Sequence, residues 1–318
     1  MMANNKYSLG IDIGGTNTVF GLVDKKGNVI KKDSILTMPK NHPKVLLESI
    51  FNIISFWEKE LKIQKIIKDI GVGVPNGNYF TGIVSKPPNL GKDWDELNLC
   101  ALIKSYLDVP VAITNDANAA ALGEKRYGVA KEMNNAVLIT LGTGLGSGII
   151  VNGNILYGHD GFAGELGHLI VEQDGRECGC GRLGCLEMYV SAKGLDLTVS
   201  EYKKKYPNNE FLDSLPDKGV DGKLLDQAFD NNEKIIIEIY KYTGNILGRG
   251  LAQVATILSP EAFIFYGGLS NAKHRILDFA EKSMNENLLS FQKGKIKILL
   301  SGLPDGEAGI LGSSCLNL

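Results

Sequence analysis

Residues 7–23 have the sequence YSLGIDIGGTNTVFGLV, in which two apolar runs flank a Gly-Gly pair. Apolar and β-branched runs on either side of a glycine turn predict two strands, Tyr7–Ile13 and Val19–Val23. A third strand is predicted from Val29 onward. The chain is therefore expected to begin as a β-meander whose first turn contains the glycine pair.

A second copy of this scheme occurs near the middle of the chain. Residues 136–141 are a predicted strand, GTGLG at 142–146 is a glycine turn, and residues 147–151 form the next strand. The two copies differ enough in sequence to make only a weak internal repeat. Elsewhere strands alternate with amphipathic segments of helical period, which indicates an α/β fold. The predicted helices cover about 43–61, 95–107, 197–206, 223–230, 233–257 and 272–288, with a last helix after Pro304.

Length and composition limit the possible functions. With 318 residues the chain is about twice as long as a usual single domain, and its 38 glycines indicate tight turns or backbone held close to a ligand. A net charge of -2 gives no reason to expect a nucleic-acid partner or an anionic membrane surface. The first residues lack the pattern of a signal peptide, and no apolar run suits a membrane helix, so a cytoplasmic protein is expected.

Two glycine turns are candidate phosphate sites. The segment Gly14-Gly15-Thr16-Asn17 joins two strands, and glycines with positive φ would let its backbone N–H groups and hydroxyls converge on an anion. The second turn has glycine at alternate positions from 142 to 148, which removes side chains from one face of the ribbon. A decorated hairpin turn is the alternative for the first turn taken alone.

Other nucleotide-binding motifs do not support a different fold. The sequence has no Gly-x4-Gly-Lys-Ser/Thr motif, so a P-loop protein is excluded. One Gly-x-Gly-x-x-Gly pattern occurs at Gly179, Gly181 and Gly184, but it is threaded through cysteines and no predicted strand precedes it. It is therefore not interpreted as a dinucleotide fingerprint.

One histidine and three cysteines form a candidate metal site. Cys178, Cys180 and Cys185 fall within eight residues, and His168 lies ten residues before the first of them. Such ligands at short spacing are typical of zinc, and four protein ligands leave no open position for water, so a structural Zn²⁺ is predicted. Reduced core cysteines beside a solvated histidine are the alternative.

Four carboxylates are candidates for the chemistry. Glu165 and Glu187 flank the cysteine cluster, where two ordered acids would suit a substrate with several hydroxyls, although both could be surface residues. Asp116 follows a predicted strand and precedes a helix, so it is either a helix N-cap or a general base at the carboxyl end of the strand. Asp12, beside the first turn, is the candidate for the Mg²⁺ shell.

These motifs resemble those of the ROK family of sugar kinases (repressor, open reading frame, kinase), within the wider actin, hexokinase and heat-shock chaperone ATPase fold. DIGGT at 12–16 is similar to the first phosphate motif of the family, NDANAAA at 115–121 to its catalytic-base segment, and LGTGLGSG at 141–148 to its second phosphate motif. ELGH at 165–168, followed by CGCGRLGCLE at 178–187, is similar to its zinc and sugar signature. The resemblance extends over nearly the whole chain.

The resemblance implies an α/β fold of two ribonuclease H-like domains, as in actin-like ATPases, with a cleft between them. The smaller domain would comprise residues 1–114 and about 301–318, so that the C-terminal helix returns to it. The larger domain would comprise residues 115–300, with the zinc loop and a dimerisation surface. A homodimer without nucleic-acid or membrane partners is expected.

The resemblance also implies ATP-dependent phosphorylation of a hexose, with glucose and its 6-hydroxyl favoured. Asp116 would be the catalytic base, and His168 would ligate zinc with one ring nitrogen and meet the sugar with the other. The implied sugar-binding residues are Asn89, Asn115, Asp116, Glu165, His168 and Glu187. The implied ATP-binding residues are Asp12, Gly14, Gly15, Thr16, Asn17, Gly142, Thr143 and Gly144, with Gly267 and Gly268 near the adenosine.

Three features depart from the common pattern of the family. Asn17 stands where many members carry Lys or Arg, and Asn76 follows Pro75 where Gly is usual. The second departure leaves the sugar preference open. A segment rich in Pro, Asn, Asp and Lys, Tyr206–Gly222, is interpreted as a surface insertion that could alter dimer packing.

Other functions therefore stay open. A kinase for N-acetylmannosamine, N-acetylglucosamine or fructose is one alternative, and a non-catalytic sugar-sensing regulator is another. Repressors of the family carry an N-terminal helix-turn-helix, for which no room is expected before Tyr7. The intact Asp116 argues against a catalytically dead sensor.

Overall fold

The computed structural model describes residues 6–304 and 306–318, which form an α/β fold. The strands are β1 (Tyr7–Ile13), β2 (Asn17–Val23), β3 (Val29–Leu36), β4 (Ile67–Gly73), β5 (Ile83–Val84), β6 (Leu97–Asn98), β7 (Val111–Thr114), β8 (Ala136–Leu141), β9 (Leu145–Val151), β10 (Asn154–Ile155), β11 (Ala262–Tyr266) and β12 (Lys297–Leu300). The helices are α1 (Pro43–Leu61), α2 (Leu99–Lys104), α3 (Asp116–Tyr127), α4 (Glu187–Val190), α5 (Ala192–Lys205), α6 (Glu210–Ser214), α7 (Gly222–Asp230), α8 (Lys234–Leu258), α9 (His274–Asn287) and α10 (Ala308–Ser313).

The weak sequence repeat is a repeat of sheet topology. One five-stranded sheet has the order β3-β2-β1-β4-β7 and the other has the order β10-β9-β8-β11-β12. In the first sheet β1, β2 and β3 are antiparallel neighbours, whereas β1, β4 and β7 are parallel. In the second, β11 is parallel to both β8 and β12. The predicted opening meander and the α/β class are confirmed, and each glycine turn follows the central strand of its sheet.

The described residues form two compact units. The first unit contains those within Met1–Asn134, Gly148–Gly164 and Gly302–Leu318, and the second contains Asn135–Ser147 and Glu165–Ser301. The boundary between the units therefore falls within β9. This division differs from the predicted domain limits because it puts α3 and Gly148–Gly164 with the first unit.

The packing of α10 explains why α3 belongs to the first unit. Gly10 of β1 and Gly71 of β4 are paired in register, and a Cβ on either would overlap the carbonyl of Ile310 or of Ser313 in α10. A Cβ on Gly312 would overlap the carbonyl of Ala119 in α3. Glycine at these positions lets the backbone of α10 lie directly against both the sheet and α3. Part of the glycine excess therefore serves close packing rather than ligand binding.

Two predicted segments have a different structure. The helix predicted at 95–107 is replaced by β6 and the shorter α2, which begins after Asn98, whose side chain accepts a hydrogen bond from Ala101 N–H (2.8 Å). The segment Tyr206–Gly222 is not only a surface insertion. It contains α6, and its Leu212 and Leu215 are buried in the apolar core formed with α5, α7 and α8.

Among the described helices, none combines the length and apolar character needed to span a bilayer.

Candidate active site

The first glycine turn is bound to the end of β3. Gly14 N–H donates to the carbonyl of Asn17 (3.0 Å), and the hydroxyl of Thr37 donates to the carbonyl of Gly14 (2.7 Å). The same hydroxyl lies 2.9 Å from that of buried Thr18. Thr37 was not predicted as a site residue, because its only sequence signal is a polar residue directly after a strand. It holds the turn from outside the motif.

The expected reason for the glycine pair is wrong. Neither Gly14 nor Gly15 has a positive φ. Space requires them instead, since a Cβ on Gly15 would lie 2.8 Å from Cβ of Asn89 and one on Gly14 would lie 3.0 Å from the carbonyl oxygen of Asn17. Asn89, predicted from a distant part of the chain, therefore lies against this turn. Thr16 and Asn17 are exposed.

Asp12 and Asp116 lie at the same edge of the first sheet. Asp12 pairs in register with Gly73, which pairs with Thr114, two residues before Asp116. Burial, with a smaller contribution from the negative charge of Asp116, raises the pKa of Asp12 to about 7. Burial also raises the pKa of Asp116, although a hydrogen bond from Ala117 N–H opposes the shift. Two acids with raised pKa values at the carboxyl ends of strands are typical of a functional site.

The interpretation of Asp116 as a helix N-cap is wrong, because the N-cap of α3 is Asn115. The side-chain oxygen of Asn115 accepts a hydrogen bond from Ala117 N–H at 2.9 Å. Asp116 is the first helical residue, and its Oδ1 lies 2.9 Å from the same N–H. With the cap supplied by its neighbour, Asp116 is not required for capping.

The second glycine turn combines an open glycine with a crowded one. A Cβ on Gly142 would meet no atom within 4 Å, whereas one on Gly144 would lie 2.9 Å from Oε2 of Glu187. The same carboxylate oxygen accepts a hydrogen bond from Leu145 N–H at 3.4 Å. The turn therefore directly contacts the acid that follows the cysteine cluster. Thr143, between the two glycines, is exposed.

A cavity of about 420 Å³ adjoins this turn within the second unit. Gly142 and Gly268 line it, together with apolar and polar side chains of α5, α7 and α8. Gly267 has a φ of +104°, and its missing Cβ lets it lie against the carbonyl of Leu141. The hydroxyl of Tyr240 donates to Asp226 (2.9 Å), and both residues also line the cavity.

The four predicted metal ligands are brought together. The ligand atoms of His168, Cys178, Cys180 and Cys185 all lie within 4.8 Å of one another. Cys178 Sγ is 3.6 Å from His168 Nδ1, and Cys180 Sγ is 3.6 Å from Cys185 Sγ. The edge of a tetrahedron of sulfur ligands around zinc measures about 3.8 Å, so the donors fit Zn²⁺, and the separation of the sulfurs excludes a disulfide.

The two glutamates beside the cluster differ in environment. Cys178 Sγ donates to Oε1 of Glu187 (3.2 Å), and His168 Nδ1 lies 3.9 Å from the same oxygen. Glu165 is exposed at the start of the 3-10 turn Leu166–His168, and His168 N–H donates to its carbonyl (3.1 Å). His168 turns Nδ1 toward the cysteines, which leaves Nε2 as the nitrogen available to another partner.

The unusual Asn76 has a structural explanation. Its φ is +54°, a left-handed conformation that asparagine tolerates better than most residues. Its side-chain amide donates to the carbonyls of Ser85 (3.1 Å) and Lys86 (2.9 Å). Asn76 therefore suits the left-handed backbone of this position, and its amide is occupied within the loop.

The predicted residues fall into two groups, each within one unit. The group in the first unit consists of Asp12, Gly14, Gly15, Thr16, Asn17, Asn89, Asn115 and Asp116. The group in the second unit consists of Gly142, Thr143, Gly144, Glu165, His168, Cys178, Cys180, Cys185, Glu187, Gly267 and Gly268.

Known proteins similar to this chain match along almost its whole length. Residues 8–318 match the family model described as ROK family. A glucokinase of Streptomyces coelicolor is 32% identical over 315 residues, which cover 97% of this chain and 96% of that protein. A ROK family glucokinase of Streptomyces griseus, solved in complex with glucose and AMPPNP, has a TM-score of 0.80 and 30% identity over 98% of each chain. The xylose repressor of Bacillus subtilis is 28% identical over 325 residues, 99% of this chain and 79% of the repressor.

Proposed function

The chain belongs to the ROK family, and on this premise we propose that it is a kinase that transfers the γ-phosphoryl group of ATP to glucose, at the 6-hydroxyl. Its similarity to glucokinases over nearly its full length supports this reaction. So does its similarity to a glucokinase solved with glucose and AMPPNP. The roles of individual residues follow from their geometry and chemistry.

The main support for the proposal is the position of Asp116 at the carboxyl end of β7. Asn115 caps α3, so the Asp116 carboxylate is not needed as the helix cap. A carboxylate there can accept the proton of the sugar hydroxyl while the hydroxyl oxygen attacks the γ-phosphorus and the bond to ADP breaks. Burial raises the pKa of Asp116, which makes its carboxylate a stronger base than an exposed aspartate. Asp116 is therefore the proposed general base.

The sugar hydroxyls are proposed to donate to the carboxylates of Glu165 and Glu187 and to contact Asn89, Asn115 and His168. The Glu187 carboxylate is held by Leu145 N–H, which donates to its Oε2, and its Oε1 lies 3.2 Å from Cys178 Sγ. A carboxylate in a fixed orientation selects hydroxyl positions better than a mobile one does. Nε2 of His168 would supply a further contact.

The nucleotide is proposed to bind along the two glycine turns. Gly142 and Gly268 both line the cavity, and no atom lies within 4 Å of the position that a Cβ on Gly142 would occupy. A nucleoside in that cavity would therefore have its phosphates next to the second turn. Gly14 to Asn17, in the first turn, would contact the transferred phosphoryl group. The cavity volume of about 420 Å³ is within the range of small-molecule sites.

Two metal ions fit the residues present. Asp12 offers a carboxylate oxygen beside the first turn, the kind of ligand that Mg²⁺ prefers, and bound Mg²⁺ would neutralise phosphate charge there. The one-histidine, three-cysteine set suits a structural Zn²⁺, which would hold His168 and the neighbouring Glu187 in place.

The proposed base belongs to the first unit, and the proposed sugar carboxylates, Glu165 and Glu187, belong to the second. The resemblance to the family also implies a homodimer, which light scattering of the purified protein would test.

A coupled assay of ADP release with a panel of hexoses tests the function. We expect turnover with glucose, and weaker turnover with N-acetylmannosamine, N-acetylglucosamine, mannose and fructose. Preference for one of the other sugars would change the substrate but keep the reaction. No turnover with any aldohexose, N-acetylhexosamine or fructose would refute the kinase.

One observation favours a second candidate, a sugar-sensing regulator. The xylose repressor matches 99% of this chain, so the proteins similar to this chain over their shared length include a regulator. The same assay separates the two, because a regulator would bind sugar in a calorimeter and release no ADP.

A further inference from the structure

Arg176 is a nearly buried arginine in the loop between His168 and Glu187. It lies two residues before Cys178, and its side chain is only 9% exposed. Nothing in the proposed chemistry uses it. Its surroundings show what holds it there.

All five N–H donors of the Arg176 guanidinium are engaged. Nε and Nη2 donate to the two oxygens of Glu201 at 2.8 and 2.7 Å, and Nη2 also donates to the hydroxyl of Thr198 at 2.9 Å. Nη1 donates to the carbonyls of Met188 (2.7 Å) and Gly194 (3.0 Å). An arginine with every donor satisfied has one defined orientation.

The loop is also attached through Tyr189. The guanidinium carbon of Arg176 lies 4.5 Å from the centre of the Tyr189 ring, and Arg176 N–H donates to the Tyr189 hydroxyl at 2.8 Å. The backbone and the side chain of Arg176 therefore hold the same short helix, α4.

This helix carries Glu187 as its first residue and has only four residues. A helix of one turn is not stable by itself, so its position depends on contacts from outside. Arg176 binds the carbonyl of Met188, the residue directly after Glu187. On the other side, the Cys178 thiol contacts the Glu187 carboxylate.

We propose that Arg176 is a positioning residue for sugar binding, which fixes α4, and with it the Glu187 carboxylate, relative to the cysteine loop. The inference rests on the proposed function, because it requires Glu187 to bind the sugar. Arg176 supplies a second attachment of the loop that needs no metal.

The test compares Arg176→Met, which keeps an apolar stem without donors, with Arg176→Lys, which keeps the charge but not the planar fork. Glu201→Gln is the matched control, because it changes the outer end of the network and keeps the bonds to Met188 and Gly194. Each variant is characterised by zinc content, Tm, kcat, and KM for glucose and for ATP.

We expect Arg176→Met to raise the KM for glucose about tenfold or more, with KM for ATP within about twofold and zinc retained. Arg176→Lys should recover part of this loss, and Glu201→Gln should stay within about twofold of the wild type. Equal increases in both KM values would show general destabilisation and overturn the inference. If Arg176→Met does not fold, Arg176→Lys provides the same comparison of glucose with ATP.

A double-mutant cycle with Glu187→Gln tests whether Arg176 acts through Glu187. The glucose-induced rise in Tm, measured without nucleotide, reports sugar affinity independently of turnover. In the Glu187→Gln background, Arg176→Met should cause no further loss of this response, whereas additive losses would overturn the inference.

The glucose-induced rise in Tm also distinguishes a failure of the inference about Arg176 from a failure of the proposed function. A wild-type chain with neither turnover nor a glucose-induced rise in Tm would overturn both. A wild-type response that is unchanged in folded, zinc-containing Arg176→Met would overturn the inference alone.

Discussion

The two glycine turns follow equivalent central strands, β1 and β8, yet their glycines are needed for different reasons. In the first turn, neighbours crowd both glycines, with Asn89 against Gly15 and the carbonyl of Asn17 near Gly14. In the second, Gly142 faces open space and Gly144 faces a carboxylate. The first turn is held by packing, whereas the second has one side free for a ligand. Similar motifs can therefore differ in their physical requirement for glycine.

The strands before the turns differ as well. The penultimate residue of β1 is Asp12, whereas that of β8 is Thr140. Burial raises the pKa of Asp12, and Asp116 lies near enough to contribute to the shift. Asp12 and Asp116 thus lie at the sheet edge that carries the first turn. Glu187 contacts the second turn and the cysteine cluster. On the proposed function, the first unit would carry the general base and the second would carry the carboxylates that bind the sugar hydroxyls.

The largest expected effect concerns the first unit. Asp116→Asn should lower kcat by at least about a thousandfold, because the amide cannot accept the hydroxyl proton. Glucose affinity, measured by calorimetry, should remain largely intact. Asp93→Asn, at an exposed position, is the control and should have normal kinetics. A near-normal kcat in Asp116→Asn would remove this residue as the base.

Removal of the cysteine cluster tests the second unit. Metal analysis should find about one zinc per chain in the wild type and little in Cys178→Ser. The KM for glucose should rise about ten- to a hundredfold in this variant, because without the metal the loop that carries Glu187 is no longer held in place. Cys100→Ser, which lies outside the cluster, should retain zinc and activity. A zinc-free protein with full activity would contradict the structural role of the metal.

Alanine at Gly142 and at Gly144 compares the open with the crowded position of the second turn. Gly144→Ala should raise the KM for glucose several-fold, roughly the cost of a small steric displacement of Glu187. Gly142→Ala should leave the glucose KM unchanged and raise the KM for ATP, because its methyl group would project into the cavity. The same response in both variants would mean that the two glycines are equivalent.

The smallest expected effect is the pH dependence of stability due to Asp12. Folding raises its pKa from 3.8 to about 7, so the folded chain binds this proton more tightly than the unfolded chain does. The free energy of unfolding should therefore fall as the pH rises from about 4 to about 7 and change little above that, as far as this group is concerned. Urea unfolding without nucleotide or Mg²⁺ should show a smaller fall in Asp12→Asn. An identical pH profile in the variant would exclude Asp12 as its source.

Local patterns predicted much of the secondary structure and the metal ligands. The strand at 262–266, the helix at 223–230 and the long helix at 233–257 lie within about one residue of the observed β11, α7 and α8. The four metal ligands were predicted from residue type and short spacing, and the structure brings their donor atoms together. Such features depend on neighbours close in sequence, so they can be predicted without knowledge of the fold.

Features that depend on distant partners were missed or misinterpreted. The space at Gly15 depends on Asn89, and the role of Thr37 depends on Gly14. The capping of α3 by Asn115 rather than Asp116 depends on backbone angles that two adjacent polar residues do not reveal. The sequence does not distinguish Arg176 from other charged loop residues. Its role is indicated by its hydrogen-bond partners on α4 and α5.

The amino-acid sequence alone therefore determined the class of fold, the glycine turns, the metal ligands and the acids available for catalysis, because residue type and spacing encode these directly. The tertiary structure decided which of Asn115 and Asp116 caps α3, which glycine of the second turn faces open space and which residues contact Glu187. Each of these depends on distances between segments far apart in the chain, and packing, not local sequence, sets those distances.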